Sequence, residues 1–173
     1  MALVAPPVRS DTYTLRTARG ANPAADPNNY VPGELLTLYV SVTRRQIPGK
    51  EEAGARIVGN ETAKYIGLLV YAVRANDATE RKVGGWALPL ESNPKLWTPP
   101  DEPGCSGRAI MHSGAETKKY EERLVFRAPP GGTGPITFRA LVKQGETNKG
   151  AFYWPVAVGG GDLSLSEAPP SAP

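Results

Sequence analysis

Cysteine and histidine, which support much of protein chemistry, occur only once each among the 173 residues, as Cys105 and His112. A single cysteine excludes a disulfide within the chain, and small extracellular domains commonly rely on such bridges. We therefore expect the protein in a reducing compartment. Arg108 is the kind of neighbour that activates a thiol, but the position of Cys105 directly after Pro103-Gly104 favours an inert, half-buried thiol at the start of a strand.

The one histidine lacks the companions of a catalytic or metal site. A catalytic triad needs a nucleophile and an acid around the imidazole, and the adjacent Ser113 would point to the opposite face of a strand. A zinc site would need two ligands beyond Cys105 and His112, and no paired spacing offers them. We expect His112 to be a structural, hydrogen-bonding residue, and we expect no catalytic residue, metal or cofactor.

Long apolar runs and a strong excess of one charge are also missing. No run is long enough to span a bilayer, and residues 1–9 lack the apolar core of an export signal. Twenty basic and 17 acidic residues give a net charge of +3 and a pI of about 9.0. The two signs are interleaved, which is typical of a mixed surface and not of a nucleic-acid stripe. We therefore expect neither nucleic acid, nor membrane, nor a small-molecule substrate as partner, and a location in the cytoplasm or cytoskeleton.

Helical periodicity is absent, whereas alternation of apolar and polar residues recurs along the chain. The 19 glycines and 18 prolines exclude a helical bundle, because both residues break helix interiors. The clearest alternation lies in residues 120–158, where it predicts three successive antiparallel strands over 120–127, 136–143 and 151–158. The Pro129–Gly134 run between the first two is typical of a hairpin turn.

The apolar positions of these three strands define an expected core ladder, made of Phe126, Phe138, Phe152 and Trp154. Pro155 marks the last strand as an edge or bulged strand, because proline cannot donate to a ladder.

Further strands are predicted upstream: 11–17 at an edge, then 34–43, 64–74, 83–90 and 106–113. Strand 64–74 is apolar on both faces, which indicates a central strand covered on both sides. Gly67 within it indicates a bulge or a close backbone approach. Seven to nine strands without a convincing helix predict an all-β, immunoglobulin-like antiparallel β-sandwich.

Composition divides the chain into an extended arm at residues 1–10, the sandwich at 11–158 and a flexible Gly/Ser/Pro-rich tail at 159–173. The polar Arg44–Thr62 insertion is long for a compact domain, and loops of this length are often functional. It contains the glycosylation sequon Asn60-Glu61-Thr62, which matters only in a secreted protein and is interpreted as a chance match.

Seven short motifs follow one another along the chain: Tyr30-Val-Pro-Gly33, Lys64-Tyr-Ile-Gly-Leu-Leu-Val-Tyr71, Val83-Gly-Gly-Trp86, Cys105 with Met111-His112-Ser113, Lys118/Lys119 ahead of Val125-Phe126-Arg127-Ala128-Pro129, Gly134-Pro-Ile-Thr-Phe138-Arg-Ala-Leu141 and Phe152-Tyr-Trp154. This series resembles the Reeler domain family, the module at the amino terminus of reelin and spondin-like proteins. The resemblance covers residues 11–158 and implies an immunoglobulin-like sandwich used for protein or matrix contacts without catalysis. Reeler domains are usually secreted and disulfide-bonded, so the single cysteine indicates an intracellular, single-domain member.

The expected function is that of a non-catalytic structural or protein-interaction module, a small component of a large intracellular assembly such as a ciliary axoneme or another cytoskeletal structure. Mild basicity suits acidic partner surfaces, tubulin and axonemal proteins among them. Partner contacts are expected in the long loop and the two tails, with Arg44, Arg45, Lys50, Arg56 and Trp97 as candidates. Trp97 is also interpreted as an anchor that tucks its loop onto the sandwich.

Two other functions remain open at this point. One is an extracellular adhesion or matrix-binding Reeler domain. The other is a thiol-dependent enzyme or redox protein acting through Cys105.

Overall fold

The computed structural model describes residues 8–19, 27–42, 65–87, 97–98, 103–105, 107–114, 121–144 and 151–169. The regular secondary structure of this part of the chain consists of strands, and no helix in it is long and apolar enough to cross a lipid bilayer. Eleven strands are present among these residues, two of them only two residues long, and the predicted all-β class is confirmed. They are β1 (Val8–Arg19), β2 (Asn29–Tyr30), β3 (Leu35–Val42), β4 (Tyr65–Arg74), β5 (Gly85–Ala87), β6 (Trp97–Thr98), β7 (Ala109–His112), β8 (Glu121–Arg127), β9 (Ile136–Gln144), β10 (Phe152–Ala157) and β11 (Ser164–Glu167).

The strands form one hydrogen-bonded sheet that folds over on itself into a two-layer sandwich. The first layer has the order β5-β8-β3-β1, and the second has the order β10-β9-β4-β7-β6. Aromatic rings meet between the layers: the Phe138 centroid lies 5.0 Å from that of Phe126 and 6.2 Å from that of Trp86. The inward-facing residues therefore share one core.

Alternation along β3, β8 and β9 sets which side chains enter that core. All four apolar residues predicted to face inward from β3 are buried: Leu36, Leu38, Val40 and Val42. The same holds for the alternate positions of β8 and β9, which are Leu124, Phe126, Ile136, Phe138, Ala140 and Val142. Burying each large apolar side chain contributes about 2 kcal/mol, so these three strands supply much of the driving force for folding.

Strand β1 is an inner strand, and the prediction of an edge strand is wrong. It begins at Val8, within the segment expected to be an arm, and lies between two neighbours. It pairs antiparallel with β3 and parallel with β10. Both edges are thus paired along its middle, where Tyr13 and Leu15 on the inner face are buried. A parallel partner some 140 residues away along the chain leaves no trace in local alternation.

The connection between β8 and β9 also differs from the predicted hairpin turn. Strand β8 pairs with β3 and β5, whereas β9 pairs with β4, β10 and β11. The Pro129–Gly134 run therefore carries the chain from one layer to the other. Of the three strands predicted in a row, only β9 and β10 are antiparallel neighbours.

Strand β10 joins the two layers. It pairs with β9 only through Phe152 and Tyr153, and from Tyr153 onward it pairs with β1. Pro155, which has no N–H, lies where the strand leaves β9. A register shift in β1, between Ser10 and Thr14, accompanies this departure. The irregularity adjoins Pro155, but its extra residues lie in β1, and β10 is not an edge strand, so the prediction of an edge or bulged last strand is wrong.

This position of β10 changes the expected core ladder. Phe126 and Phe138 are buried as predicted, but Phe152 and Trp154 are only half-buried. Tyr153, on the opposite parity, packs against the core instead, with its ring 5.6 Å from that of Tyr13. A strand at the junction of two layers has no face that is wholly internal. The alternation of apolar residues in β10 therefore predicts the wrong face as the one that packs against the core.

The segment after β10 belongs to the sandwich up to residue 169, which corrects the predicted tail. Gly159, Gly160 and Gly161 all have positive φ (95°, 97° and 75°), a conformation that glycine adopts readily, and they reverse the chain. Strand β11 then pairs antiparallel with β9 and parallel with β2. Leu165 of β11 is 1% exposed. A glycine run that resembles a linker by composition is a turn in this fold.

Candidate interaction surface

Four of the five predicted contact residues lie outside the described residues: Arg44, Arg45, Lys50 and Arg56. The fifth, Trp97, is in β6, which pairs with β7, and its side chain is 2% exposed. Its ring belongs to the hydrophobic core. The prediction of Trp97 as a surface contact is therefore corrected, and its position agrees with the anchor interpretation.

Cys105, which precedes β7, and His112, the last residue of β7, both make hydrogen bonds that support this strand. Cys105 is 9% exposed, and its carbonyl accepts hydrogen bonds from the N–H groups of Arg108 (2.9 Å) and Ala109 (3.0 Å). The backbone N–H of Leu68 in β4 donates to Nδ1 of His112 over 3.0 Å. In the described part of the chain, no group of three or more His, Cys, Asp or Glu residues is placed to hold a metal ion.

Gly67 makes the His112 contact possible. A Cβ at this position would lie 3.0 Å from Cε1 of His112 and 3.0 Å from Cβ of Lys143, both tighter than ordinary packing. The β4–β9 register also shifts between Tyr65 and Gly67. The close approach and the bulge that the sequence predicted as alternatives thus occur together.

A polar depression of about 610 Å³ lies beside the turn that follows β4, lined in part by Arg74, Asp77, Glu80, Thr137, Arg139, Asp162 and Ser164. Several of its polar groups already bind one another. Arg139 lies 3.0 Å from Asp162, and the hydroxyls of Thr137 and Ser164 are 2.8 Å apart. Groups satisfied in this way have little left to offer a ligand.

Asp162 connects the depression to strand β1. Its second carboxylate oxygen lies 2.7 Å from Arg9, so one carboxylate binds arginines of β1 and β9. Partial desolvation raises the pKa of Asp162, but the hydrogen bonds and charges of Arg139 and Arg9 outweigh it and hold that pKa below its usual value. The carboxylate therefore stays ionised. It links β1 to β9, the two strands with which β10 pairs.

A second carboxylate, that of Glu167, holds the loop between the layers. It accepts hydrogen bonds from the N–H groups of Gly132 (2.7 Å) and Gly134 (2.6 Å), which lower the pKa of Glu167. The Tyr30 hydroxyl donates to the carbonyl of Gly134 over 2.7 Å. Burial, and then the Glu167 charge, raise the pKa of Tyr30 to about 12. These groups are engaged in tying β2, β11 and the loop together.

The outer face of the first layer carries exposed apolar and cationic side chains side by side. Arg123, Val125 and Arg127 are alternate residues of β8. Leu35 of β3 lies opposite Arg127, and Ala87 of β5 lies opposite Val125. The side chain of Arg123 is 57% exposed and Leu35 is 51% exposed. We call these five residues the arginine face.

Neighbouring groups orient the cations at one end of the arginine face. Tyr39 of β3 is covered by two guanidinium groups, with its ring centroid 3.7 Å from Cζ of Arg16 and 5.6 Å from Cζ of Arg123. Glu121 accepts from Arg16 over 3.3 Å and lies 3.6 Å from Nε of Arg123. At the other end, Arg127 donates to the carbonyl of Gly33 over 3.5 Å.

The sequence model of the Reeler domain matches residues 22–169. The chain belongs to the Reeler domain family. No curated protein matches it.

Solved Reeler domains share the fold. One crystal structure of the human F-spondin reeler domain has a TM-score of 0.61 at 18% identity, covering 94% of this chain and 92% of that one. Another gives 0.60 at 17%, covering 96% and 95%. The Reelin-N domain of F-spondin gives 0.59 at 16%, covering 95% and 91%. Identities this low bear on the fold alone, and they confirm the predicted sandwich.

The arginine face of this Reeler domain was not among the predicted contacts. Alternate charged residues in 120–127 indicated a solvent-facing side of β8, which the structure has. The sequence did not show which residues lie next to β8 in the sheet. Leu35 and Ala87 lie about 90 and 40 residues upstream of β8 and become its neighbours only through strand pairing.

Proposed function

We propose that this Reeler domain is a non-catalytic protein-interaction module, and that it serves as a structural component of a large intracellular assembly. The observation that carries the proposal is the arginine face, where half-buried Val125 and exposed Leu35 and Ala87 lie beside cations that neighbouring groups hold in place. Protein interfaces are enriched in arginine, and the residues that contribute most to binding combine apolar area with a few charge-assisted hydrogen bonds.

The use of Cys105 and His112 within the fold supports a binding role over a catalytic one. The thiol is free and buried, and the imidazole bonds to the backbone of β4. The one cysteine also fits a reducing compartment. Among intracellular assemblies, the ciliary axoneme suits the mild positive charge, because acidic tubulin surfaces are abundant there.

The test is the extraction behaviour of the tagged, full-length chain expressed in ciliated cells. We expect it to remain with the axoneme after detergent and to be recovered with other proteins on affinity purification under mild salt. Binding to purified microtubules is measured by co-sedimentation, with an unrelated basic domain of equal net charge as control.

Full release by detergent, together with co-sedimentation no better than the control domain, would overturn the axonemal assignment. Recovery of the protein in the medium with a glycan on Asn60, which lies outside the described residues, would instead place the domain outside the cell.

A further inference from the structure

We propose that the arginine face binds an extended acidic protein segment, with an apolar residue between two acidic ones. This inference rests on the proposed function, because it assigns a partner chemistry to the same surface. It does not depend on which assembly contains the domain.

The spacing of the face sets the spacing in the partner. Arg123 and Arg127 are four residues apart on one side of β8, so their Cα atoms are about 13 Å apart at the usual rise of a strand. Val125 lies midway between them, with Ala87 opposite it on β5. An extended partner with acidic residues at positions 1 and 5 and an apolar residue at position 3 has the same period and presents all three on one side.

The charges of the face determine the sign of the partner. Three guanidinium groups, those of Arg16, Arg123 and Arg127, lie on the outer side of β1 and β8, and Glu121 is the carboxylate that Arg16 and Arg123 share there. Among the described residues, no carboxylate pairs with Arg127. Guanidinium groups bind carboxylates through two parallel hydrogen bonds, so an acidic partner gains most from this arrangement.

The cations are also partly ordered before binding. The stacking of Arg16 and Arg123 on Tyr39 and the bond from Arg127 to Gly33 restrict their rotamers. Association normally costs about 0.5–1.5 kcal/mol for each flexible side chain that becomes fixed. That cost is smaller here than for free surface arginines.

Of the other described arginines, Arg74 lies at the end of β4, Arg81 and Arg108 lie outside the strands, and the remaining three are paired with carboxylates. In the polar depression, Arg139 is already paired with Asp162. Arg19 pairs with Glu34 over 2.9 Å, and Arg9 with Asp162 over 2.7 Å. Arg127 therefore combines an available guanidinium with an exposed apolar neighbour, Leu35.

Binding is measured by fluorescence anisotropy with a labelled peptide that contains Glu-Thr-Leu-Thr-Glu, on the full chain at low salt. We expect saturable binding that weakens as salt increases. The peptide Gln-Thr-Leu-Thr-Gln should bind at least about tenfold more weakly, as expected when two charged contacts are lost. Absence of saturation at millimolar peptide would overturn the proposal.

The double substitution Arg123→Gln with Arg127→Gln should weaken binding about tenfold. The matched control, Arg81→Gln with Arg108→Gln, removes the same charge from exposed residues elsewhere and should leave affinity within about twofold. Circular dichroism checks the fold. Arg127→Gln alone provides a second variant, because the hydrogen bond of its guanidinium within the described residues is to the Gly33 carbonyl.

Equal loss in the control variant would mean unspecific charge attraction and would refute the proposal. The proposal would also be refuted if inorganic polyphosphate bound as tightly as the peptide and lost as much affinity in the double variant. The arginine face would then recognise polyanions in general. If the double variant still associates with the cellular assembly, the partner inference fails and the proposed function stands. If the wild-type chain binds the peptide but joins no assembly, the proposed function fails and the partner inference stands.

Discussion

Several residues that could have carried chemistry are used to fit strands together, and Gly67 with His112 is the clearest case. The imidazole lies against the backbone of β4 where only a glycine leaves room for it. The histidine was predicted to be a structural, hydrogen-bonding residue from the absence of companions, and the structure shows its hydrogen bond with Leu68. Its specific partner was not predictable, because β4 and β7 are about 40 residues apart in sequence.

The first prediction concerns this contact. Gly67→Ala should lower the free energy of unfolding by about 1–3 kcal/mol, since the new methyl group would overpack against His112 and Lys143. In a His112→Ala background the loss should be smaller. Urea titration measures both. The control is Gly85→Ala, whose methyl group would lie 3.5 Å from the carbonyl of Gly107, an ordinary contact. Equal losses in both backgrounds would contradict the assigned contact.

The second prediction concerns Glu167 and pH. Its pKa in the folded state is held below the ordinary 4.5 by the N–H groups of Gly134 and Gly132. A lowered folded-state pKa stabilises the fold above the unfolded pKa, and this stability is lost as pH falls through the folded value. The free energy of unfolding of the wild type should therefore exceed that of Glu167→Gln by the largest amount near pH 6 to 7. This difference should shrink below about pH 4.5. Urea titrations from pH 3 to 7 measure the difference, and parallel curves would count against the assignment.

At the scale of elements, β11 shows how much a short strand can contribute. It pairs with only two residues of β9 and two of β2, yet Leu165 enters the core and Glu167 holds the loop between the layers. It occupies the edge of β9 that β10 has left. The sandwich therefore needs a segment whose composition resembles that of a linker.

The third prediction tests this strand. Leu165→Ala should destabilise the protein by about 2–5 kcal/mol, because it leaves a cavity under a side chain that is 1% exposed. Its neighbour Ser166 is exposed and shares the same backbone pairing. Ser166→Ala should change the stability by no more than about 0.5 kcal/mol. Thermal unfolding compares the two, and similar midpoints would mean that β11 is dispensable.

The elements that were predicted and those that were missed differ in one physical respect. Strands β3, β8 and β9 have one face on the core throughout their length, so a period of two identifies the buried side. Strand β10 changes partners after Tyr153, and the segment after it reverses at Gly159, so no single period describes either. The same holds for the arginine face. Alternation within β8 predicted that its arginines face outward, but it could not predict their apolar neighbours on β3 and β5.

At the scale of the whole molecule, the sandwich depends on a pairing between its two ends. Strand β1 precedes the segment 22–169 that the Reeler domain model matches, yet it lies between β3 and β10 and contributes Tyr13 and Leu15 to the core. Contacts of such long sequence separation form late and slow folding.

The fourth prediction follows from this arrangement. A chain of residues 20–173 should lack a cooperative unfolding transition, because removal of β1 exposes the core and separates the first layer from β10. A synthetic peptide of residues 8–19 should restore the transition, and the same peptide with Leu15→Ser should restore it poorly. Circular dichroism during heating reads out both. Cooperative unfolding of the shortened chain alone would show that β1 is accessory.

The parallel pairing of β1 with β10 also has a mechanical consequence. Val8 lies opposite Tyr153 and Leu15 opposite Ala157, so the two strands run in the same direction side by side. A force that stretches the chain from its two ends, once β11 has detached, pulls β1 and β10 past each other along their length. Their hydrogen bonds are then loaded together in shear and not opened one after another like a zipper. A domain tethered at both ends within a moving structure would resist extension through this single pair of strands.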